Sequence, residues 1–105
     1  MDSIIELNDS NYGEVTGSGV AIVAFYAVWC VHCESMAPMF AEAIELYGDK
    51  AAFARIDVDK NQGIAADNKI MSIPTLLFYK DGKVADRVSG ALDKAALYGK
   101  IDALL

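Results

Sequence analysis

The sequence is poor in the residues from which metal centres are built. Of its 105 residues, two are cysteine and one is histidine. A structural zinc site takes four ligands, usually cysteine or histidine, so one chain does not supply enough of them for a closed site. With no dense set of disulfides available, the fold has to rest on a hydrophobic core, and the chain is long enough to bury one.

Positive charge is also scarce. The chain has 9 Lys and Arg residues against 15 Asp and Glu residues, which gives a formal net charge of −6 at pH 7. The basic residues form no cluster along the chain. Because an acidic surface repels a phosphate backbone, we expect no binding to nucleic acid.

Long hydrophobic runs are absent as well. The longest, residues 20–31, is too short to cross a bilayer, so we expect no membrane association. The start, Met1-Asp2-Ser3, has no basic segment followed by an apolar one, so we expect no signal peptide. These features predict a cytoplasmic protein, with a secreted form that has lost its leader as the alternative.

Hydrophobic residues make up 54% of the chain, and their spacing predicts alternating strands and helices. The predicted strands cover residues 3–7, 20–26, 51–58, 75–79 and 83–89. The predicted helices cover residues 9–16, 33–47, 62–68 and 92–104. The order β-α-β-α-β-α-β-β-α predicts a single α/β domain over 1–105, with helices on both faces of the sheet and a hairpin at its end.

Both cysteines fall in one short motif, Cys30-Val31-His32-Cys33. Haem attachment needs a histidine directly after the second cysteine, and position 34 is glutamate. A structural disulfide gains little here, because stabilisation by a cross-link grows with the loop that it closes. Two interpretations remain: a dithiol that opens and closes, and a metal or iron–sulfur cluster at a contact between two chains.

The position of the motif favours the dithiol. Cys30 comes where a buried strand ends and a helix begins, and the unpaired N–H groups and dipole of a helix start stabilise an anion. Since the thiolate is the attacking form, we expect a lowered pKa at Cys30, which makes it the nucleophile. We expect Cys33, one turn inside the helix, to be more buried and to act as the resolving thiol.

Along nearly its whole length the chain resembles the thioredoxin family. Residues 23–33, with Trp29 before the first cysteine, are similar to the active-site strand and loop of that family. Pro38 matches the proline that bends the second helix of the family, and residues 55–59 match its central strand. Ile73-Pro74-Thr75 is similar to its cis-proline loop, and Gly90-Ala91 to its late glycine loop. The resemblance implies a thioredoxin fold, a central mixed five-stranded sheet flanked by four helices, and the reduction or exchange of disulfides in partner proteins.

Four positions depart from the commonest pattern of the family. Val31-His32 stands between the cysteines in place of Gly-Pro, and Tyr26 in place of tryptophan. Glu34 replaces a basic residue, so we expect a standard reductase to dock less well. Ala24 replaces a buried acid, six residues before the first cysteine.

Ala24 removes the group that the resemblance would assign as proton acceptor for Cys33, which has to lose its proton before it attacks. We expect the acids near the end of the third strand to be solvated charges. The sequence therefore leaves the acceptor open. The remaining candidates are Glu34, Asp57, Asp59 and a water near Arg55.

His32 matches a position that histidine holds in disulfide isomerases and periplasmic disulfide oxidases. A ring N–H or imidazolium near the Cys30 sulfur would favour the thiolate, stabilise the dithiol and make the couple more oxidising. We therefore expect His32 to tune the pKa of Cys30 and the reduction potential. The alternative is an exposed loop residue without contact to Cys30.

The resemblance further implies that the Ile73–Pro74 bond is cis. Ile73 would then face the disulfide, with backbone groups free to pair with an extended substrate segment. Met71 is either part of an apolar docking surface there or a core residue. The candidate substrate-binding residues are Trp29, Val31, Ile73, Pro74, Gly90 and Ala91.

The sequence therefore predicts a protein-disulfide oxidoreductase. We expect no bound cofactor and no metal, only the redox-active disulfide Cys30–Cys33. The expected partners are disulfide-containing proteins, with a reductase or a low-molecular-weight thiol as electron donor, and the chain is expected to be a monomer. The alternatives are oxidation or isomerisation of folding proteins by the same chemistry, and a metal or iron–sulfur scaffold at a dimer contact.

Overall fold

A mixed five-stranded sheet forms the centre of the computed structural model, which describes residues 4–90 and 92–105. Its strands are β1 Ile4–Glu6, β2 Val20–Tyr26, β3 Ala51–Asp57, β4 Thr75–Lys80 and β5 Lys83–Ser89. In the order β1-β3-β2-β4-β5, the first three strands run parallel, β4 runs antiparallel to β2, and β5 antiparallel to β4. The predicted fold class is confirmed.

The helices lie where the hydrophobic spacing predicted them, with one interruption. They are α1 Tyr12–Thr16, α2 Val31–Glu34, α3 Ala37–Tyr47, α4 Gln62–Asp67 and α5 Lys94–Leu104. The stretch predicted as one helix is divided into α2 and α3. When these two are counted as one interrupted helix, the number of helices is four, as predicted. The interruption precedes Pro38, which has no N–H to donate to the carbonyl four residues back.

Hydrogen bonds from side chains to the backbone explain where two of these helices begin. α1 starts later than predicted because the Asn8 side chain accepts hydrogen bonds from the backbone of Ser10 at 2.8 Å and Asn11 at 3.2 Å, which holds a turn instead. α5 starts after Asp93, whose carboxylate accepts from the backbone N–H of Ala96 at 2.8 Å. Because of these local hydrogen bonds, both helices begin later than the hydrophobic spacing predicts.

The predicted hairpin at the end of the sheet is confirmed. Lys80 pairs with Lys83, and the two residues between them, Asp81 and Gly82, have φ of 50° and 89°. This two-residue connection with positive φ matches the twist of antiparallel strands.

Alternation along β2 builds a hydrophobic core on each face of the sheet. Val20 and Ile22 belong to a cluster with residues of α3 and α5, here called the first core cluster. Ala21, Val23 and Phe25 belong to the second core cluster, with residues of α1 and α4 packed against it or within it. Because β2 is covered on both faces, its last residues and the loop after them are held firmly between the two layers.

Candidate active site

The cysteine pair lies where β2 gives way to α2. Cys30 and Cys33 form a disulfide, with their Cα atoms 5.3 Å apart. Cys30 is the N-cap of α2 and has an extended backbone, with φ of −91° and ψ of 110°. Its N–H donates to the carbonyl of Ala27 at 3.1 Å, and its own carbonyl accepts from Glu34 at 3.3 Å. The chain therefore turns sharply at Cys30 and places this sulfur at the start of the helix.

One backbone group of the helix points at the first sulfur. The N–H of Cys33 donates to Cys30 Sγ at 3.2 Å. A helix start has N–H groups without partners inside the helix, and here the cysteine sulfur satisfies one of them. The same N–H stabilises negative charge on Cys30 Sγ when the disulfide opens.

The relative exposure of the two cysteines is the reverse of what the sequence predicted. Cys30 is buried, with 7% of its surface exposed, whereas Cys33 is partly exposed. The reason is on the β2 side of the disulfide, where Ala24 contributes only a methyl group and Cys33 borders an open cavity. The prediction that Cys33 is the more buried residue is therefore wrong.

This cavity, here called the Ala24 cavity, has a volume of about 320 Å³. Its walls combine apolar side chains with two charged ones, Glu34 and Arg55. The lining residues are Ala24, Tyr26, Ala27, Val28, Cys33, Glu34, Met36, Ala37, Phe40 and Arg55. The missing acid at Ala24 was apparent from the sequence, but the space that its absence leaves was not.

A hydrogen-bonded network forms one wall of the cavity. The Tyr26 hydroxyl donates to one carboxylate oxygen of Glu6 at 2.7 Å, and Arg55 Nε donates to the other at 2.6 Å. The guanidinium of Arg55 also lies 4.9 Å from the centre of the Tyr26 ring. Burial, followed by the hydrogen bond to Glu6, raises the pKa of Tyr26 to about 12. The phenol therefore stays protonated near neutral pH.

Some candidate proton acceptors for Cys33 lie at the Ala24 cavity and others at the end of β3. Glu34 lines the cavity together with Cys33, and so does Arg55, near which a water was considered as the acceptor. Asp57 is not the solvated charge that the sequence predicted: it is 4% exposed, and its carboxylate accepts from the backbone N–H of Asp59 at 2.9 Å. The prediction failed because this carboxylate folds back onto the turn after β3 and satisfies its N–H groups.

Exposed apolar residues lie next to the cysteines in the chain and in the loop before β4. Trp29 is 66% exposed, Val31 74% and Met71 92%, so Met71 is not a core residue. Val28, which sequence reasoning did not single out, is equally open at 72%. The indole N–H of Trp29 donates to a carboxylate oxygen of Asp59 at 2.9 Å, which holds the ring in place. An apolar surface that stays open beside a reactive group is typical of an interaction site.

The loop before β4 lies at the same end of the sheet. The Ile73–Pro74 peptide bond is cis, as predicted. Pro74 is buried, while Ile73 is half-buried and packs against the second core cluster. The Pro74 carbonyl accepts from the N–H of Gly90 at 2.7 Å, and Gly90 has φ of 88°, which favours glycine. Ala91, the other residue of the predicted glycine loop, lies outside the described residues.

His32 is exposed on the first turn of α2. Its carbonyl accepts from the Ser35 hydroxyl at 2.8 Å. Among the described residues, the hydrogen bond to Cys30 Sγ comes from the Cys33 backbone and none comes from the imidazole. In the disulfide state, His32 therefore matches the alternative interpretation of an exposed loop residue.

Within residues 4–90 and 92–105, no group of three or more His, Cys, Asp and Glu side chains is arranged to hold a metal ion. The helices in the same part of the chain are too short or too polar to cross a membrane. What the site does contain is a disulfide at a helix start, with a backbone N–H ready to stabilise the thiolate. This arrangement defines the class of thiol–disulfide oxidoreductases.

Comparison with known proteins gives the family. The family model described as thioredoxin matches residues 3–103. A thioredoxin from Staphylococcus haemolyticus is 41% identical over 100 residues, which cover 95% of this chain and 96% of the relative. A thioredoxin from Staphylococcus saprophyticus is 41% identical over 95 residues, covering 90% and 91%, and one from Staphylococcus epidermidis is 39% identical over 100 residues, covering 95% and 96%.

The chain therefore belongs to the thioredoxin family. It is a thiol–disulfide oxidoreductase, and its redox-active group is the cysteine pair Cys30–Cys33. The two alternatives considered from the sequence, an oxidase or isomerase and a metal-binding scaffold, are not favoured by these relatives.

Proposed function

We propose that the chain reduces disulfides in partner proteins, with Cys30 as nucleophile and Cys33 as resolving thiol. The Cys30 thiolate attacks one sulfur of the partner's disulfide and forms a mixed disulfide, and the partner's other sulfur leaves as a thiolate. Cys33 loses a proton and attacks Cys30 Sγ, which forms the Cys30–Cys33 disulfide and releases the second partner thiol. The partner gains two electrons and two protons.

The observation that carries this assignment is the hydrogen bond from the Cys33 N–H to Cys30 Sγ at 3.2 Å. A donor aimed at one of the two sulfurs favours the thiolate at that position. Among the described residues, no equivalent donor to Cys33 Sγ is found.

The proposed docking surface is the exposed apolar rim of the disulfide. Trp29 and Val31 are exposed next to the cysteines, and Ile73 is half-buried in the loop at the same end of the sheet. Among the described residues, the backbone N–H and carbonyl of Ile73 have no partner, so they are available to an extended segment of substrate. The proposed substrate-binding residues are Trp29, Val31, Ile73, Pro74, Gly90 and Ala91.

Several finer points belong to the same proposal. Residues 1–105 act as one domain, which is supported by the single sheet and the family match over 3–103. The chain acts as a monomer. A reductase or a low-molecular-weight thiol regenerates the dithiol, and a reducing compartment such as the cytoplasm suits that step. His32 tunes the couple, since it lies between the two cysteines in the sequence.

The test is a pair of single substitutions assayed on a protein substrate such as insulin. Cys30→Ser should abolish reduction, because the attacking sulfur is gone. Cys33→Ser should also stop turnover but accumulate a mixed disulfide through Cys30, which non-reducing electrophoresis and mass spectrometry detect. If Cys30→Ser accumulated the mixed disulfide and Cys33→Ser did not, the two roles would have to be exchanged.

A further inference from the structure

The two cysteines face different surroundings. Cys33 is one of the residues that line the Ala24 cavity, and Cys30 is not among the described residues that do so. Cys33 is also the more exposed of the two. A cavity of about 320 Å³ lies at the small end of the range for ligand sites, so it suits a molecule of amino-acid size rather than a polypeptide.

We propose that the Ala24 cavity is an entry site for a low-molecular-weight thiol that carries an ammonium group and that attacks the oxidised protein at Cys33. Partner proteins then react at Cys30, and the small thiol regenerates the dithiol from the other side of the disulfide. This inference rests on the proposed function, since it names the electron donor for the same cysteine pair.

The charges around the cavity favour a cationic thiol over an anionic one. Glu34 borders the cavity beside Cys33, and no ion pair of Glu34 is found in the described part of the chain. Arg55 also lines the cavity, but its Nε donates to Glu6 at 2.6 Å, so part of its charge is already balanced. The net charge of −6 acts in the same direction over longer distances.

The exchange step balances in atoms and electrons. The small thiol loses its proton to water, and its thiolate attacks Cys33 Sγ. The bond between the two cysteine sulfurs breaks, a mixed disulfide forms on Cys33, and Cys30 Sγ leaves with the electron pair. In the disulfide, Cys30 Sγ already accepts a hydrogen bond from the Cys33 N–H at 3.2 Å. This bond stabilises Cys30 Sγ as a thiolate, and a stabilised thiolate leaves faster. A second small thiolate attacks the mixed disulfide, forms a small disulfide, and frees Cys33.

The first experiment follows reduction of the oxidised protein by cysteamine, with Trp29 fluorescence as the signal. Ala24→Leu places a larger side chain in the cavity, and it should slow this reduction by roughly tenfold, because the rate of exchange depends on access to the attacked sulfur. Ala95→Leu, at an exposed position on α5, is the matched control and should react like the parent protein. An unchanged rate in Ala24→Leu would overturn the proposal.

Single-cysteine variants separate access from a general effect on the fold. Each is treated with cystamine, the disulfide of cysteamine, and formation of the mixed disulfide is followed by mass spectrometry. Ala24→Leu should slow the reaction of Cys33 in the Cys30→Ser background and leave the reaction of Cys30 in the Cys33→Ser background unchanged. Equal slowing at both cysteines, or at neither, contradicts entry through the cavity.

The charge of the thiol is tested with a matched pair of reagents. At equal thiolate concentration and low salt, cysteamine should reduce the oxidised protein faster than 3-mercaptopropionate, and Glu34→Gln should narrow the difference. A preference for the anionic thiol would refute the ligand class. Failure of the proposed function is distinguishable from all of these results, since the trapping of insulin by Cys33→Ser involves neither the small thiol nor the cavity.

Discussion

Ala24 contributes a single methyl group to the wall of the cavity that Cys33 also lines, and the surroundings of Cys33 follow from that. A larger side chain at this position would occupy the space next to Cys33, and an acidic one would supply a proton acceptor on β2. With alanine at position 24, Glu34 is the carboxylate that lines the cavity among the described residues. We therefore expect a proton released by Cys33 to go to water in the cavity or to Glu34.

At the same scale, we expect the residues between the cysteines to tune the reduction potential. Replacing Val31 by Gly and His32 by Pro should make the couple more reducing by about 20 mV, which is ~1 kcal/mol for a two-electron couple. The change is modest because the imidazole is exposed and makes no hydrogen bond to Cys30 Sγ in the disulfide state. The measurement is equilibration of both proteins with a glutathione buffer.

His32→Gln is the control for this comparison, since it removes the imidazole and keeps a polar side chain in the loop. A double variant that is as oxidising as the parent protein, or more so, would show that the loop does not set the potential in the expected direction.

At the scale of elements, side-chain caps mark the start of two helices, α2 and α5. Cys30 caps α2 through its sulfur, and Asp93 caps α5 through its carboxylate. The break between α2 and α3 also has a local cause in Pro38. The helix that carries the cysteines is thereby reduced to one turn, held at one end by the disulfide and at the other by α3.

Asp93→Ala should lower the free energy of unfolding by about 1 kcal/mol, which for a domain of this size lowers Tm by ~5 °C. The reason is that the Ala96 N–H loses its acceptor at 2.8 Å. Asp93→Asn keeps a capping oxygen and should cost much less. Urea unfolding of the three proteins measures the difference.

The disulfide-exchange rate of the native Asp93→Ala protein should equal that of the parent, because the Asp93 carboxylate caps α5 and does not line the Ala24 cavity. Equal destabilisation by Ala and Asn would assign the effect to the lost charge rather than to the cap.

At the scale of the whole molecule, strand pairing joins residues that are far apart in the sequence. Glu6 of β1 and Ala24 of β2 both pair with Arg55 of β3. The Glu6–Tyr26–Arg55 network therefore spans three strands and borders the cavity at the same time. Stability and the shape of the site depend on the same pairing.

This network predicts a loss of stability in alkaline solution. The pKa of Tyr26 is raised to about 12 in the folded protein, from an ordinary value of 10.0, so the folded state holds this proton more tightly than the unfolded state. The contribution is complete below pH 10 and is lost as pH rises through about 12. Burial and a hydrogen bond with Tyr12 raise the pKa of Tyr79 as well, which adds a loss in the same direction.

The measurement is the free energy of unfolding at several pH values from about 9 to about 11.5. The parent protein should lose stability with rising pH more steeply than Tyr26→Phe, which has no phenol to ionise at this position. Glu6→Gln should have an intermediate slope, because it removes the hydrogen-bonded carboxylate but leaves Tyr26 buried. Parallel curves for the parent and Tyr26→Phe would contradict the assignment.

Much of the fold could be predicted because its signals are local. The apolar run of β2 and the Asp81-Gly82 connection depend on residues close together in the chain, and both lie where they were expected. The late start of α1 also has a local explanation, because hydrogen bonds of Asn8 delay it and hydrophobic spacing alone does not register them. The bend that the resemblance implied at Pro38 is found as the break between α2 and α3.

The sequence by itself determined the order of elements and the place of Cys30 and Cys33 at a helix start, because these depend on spacing over a few residues. The tertiary structure alone decided that Cys33 is the more exposed cysteine and that a cavity opens beside it. That outcome depends on Ala24 and Arg55, which become neighbours only when β2 pairs with β3. Burial is a property of the assembled layers, so the identity of one residue does not reveal it.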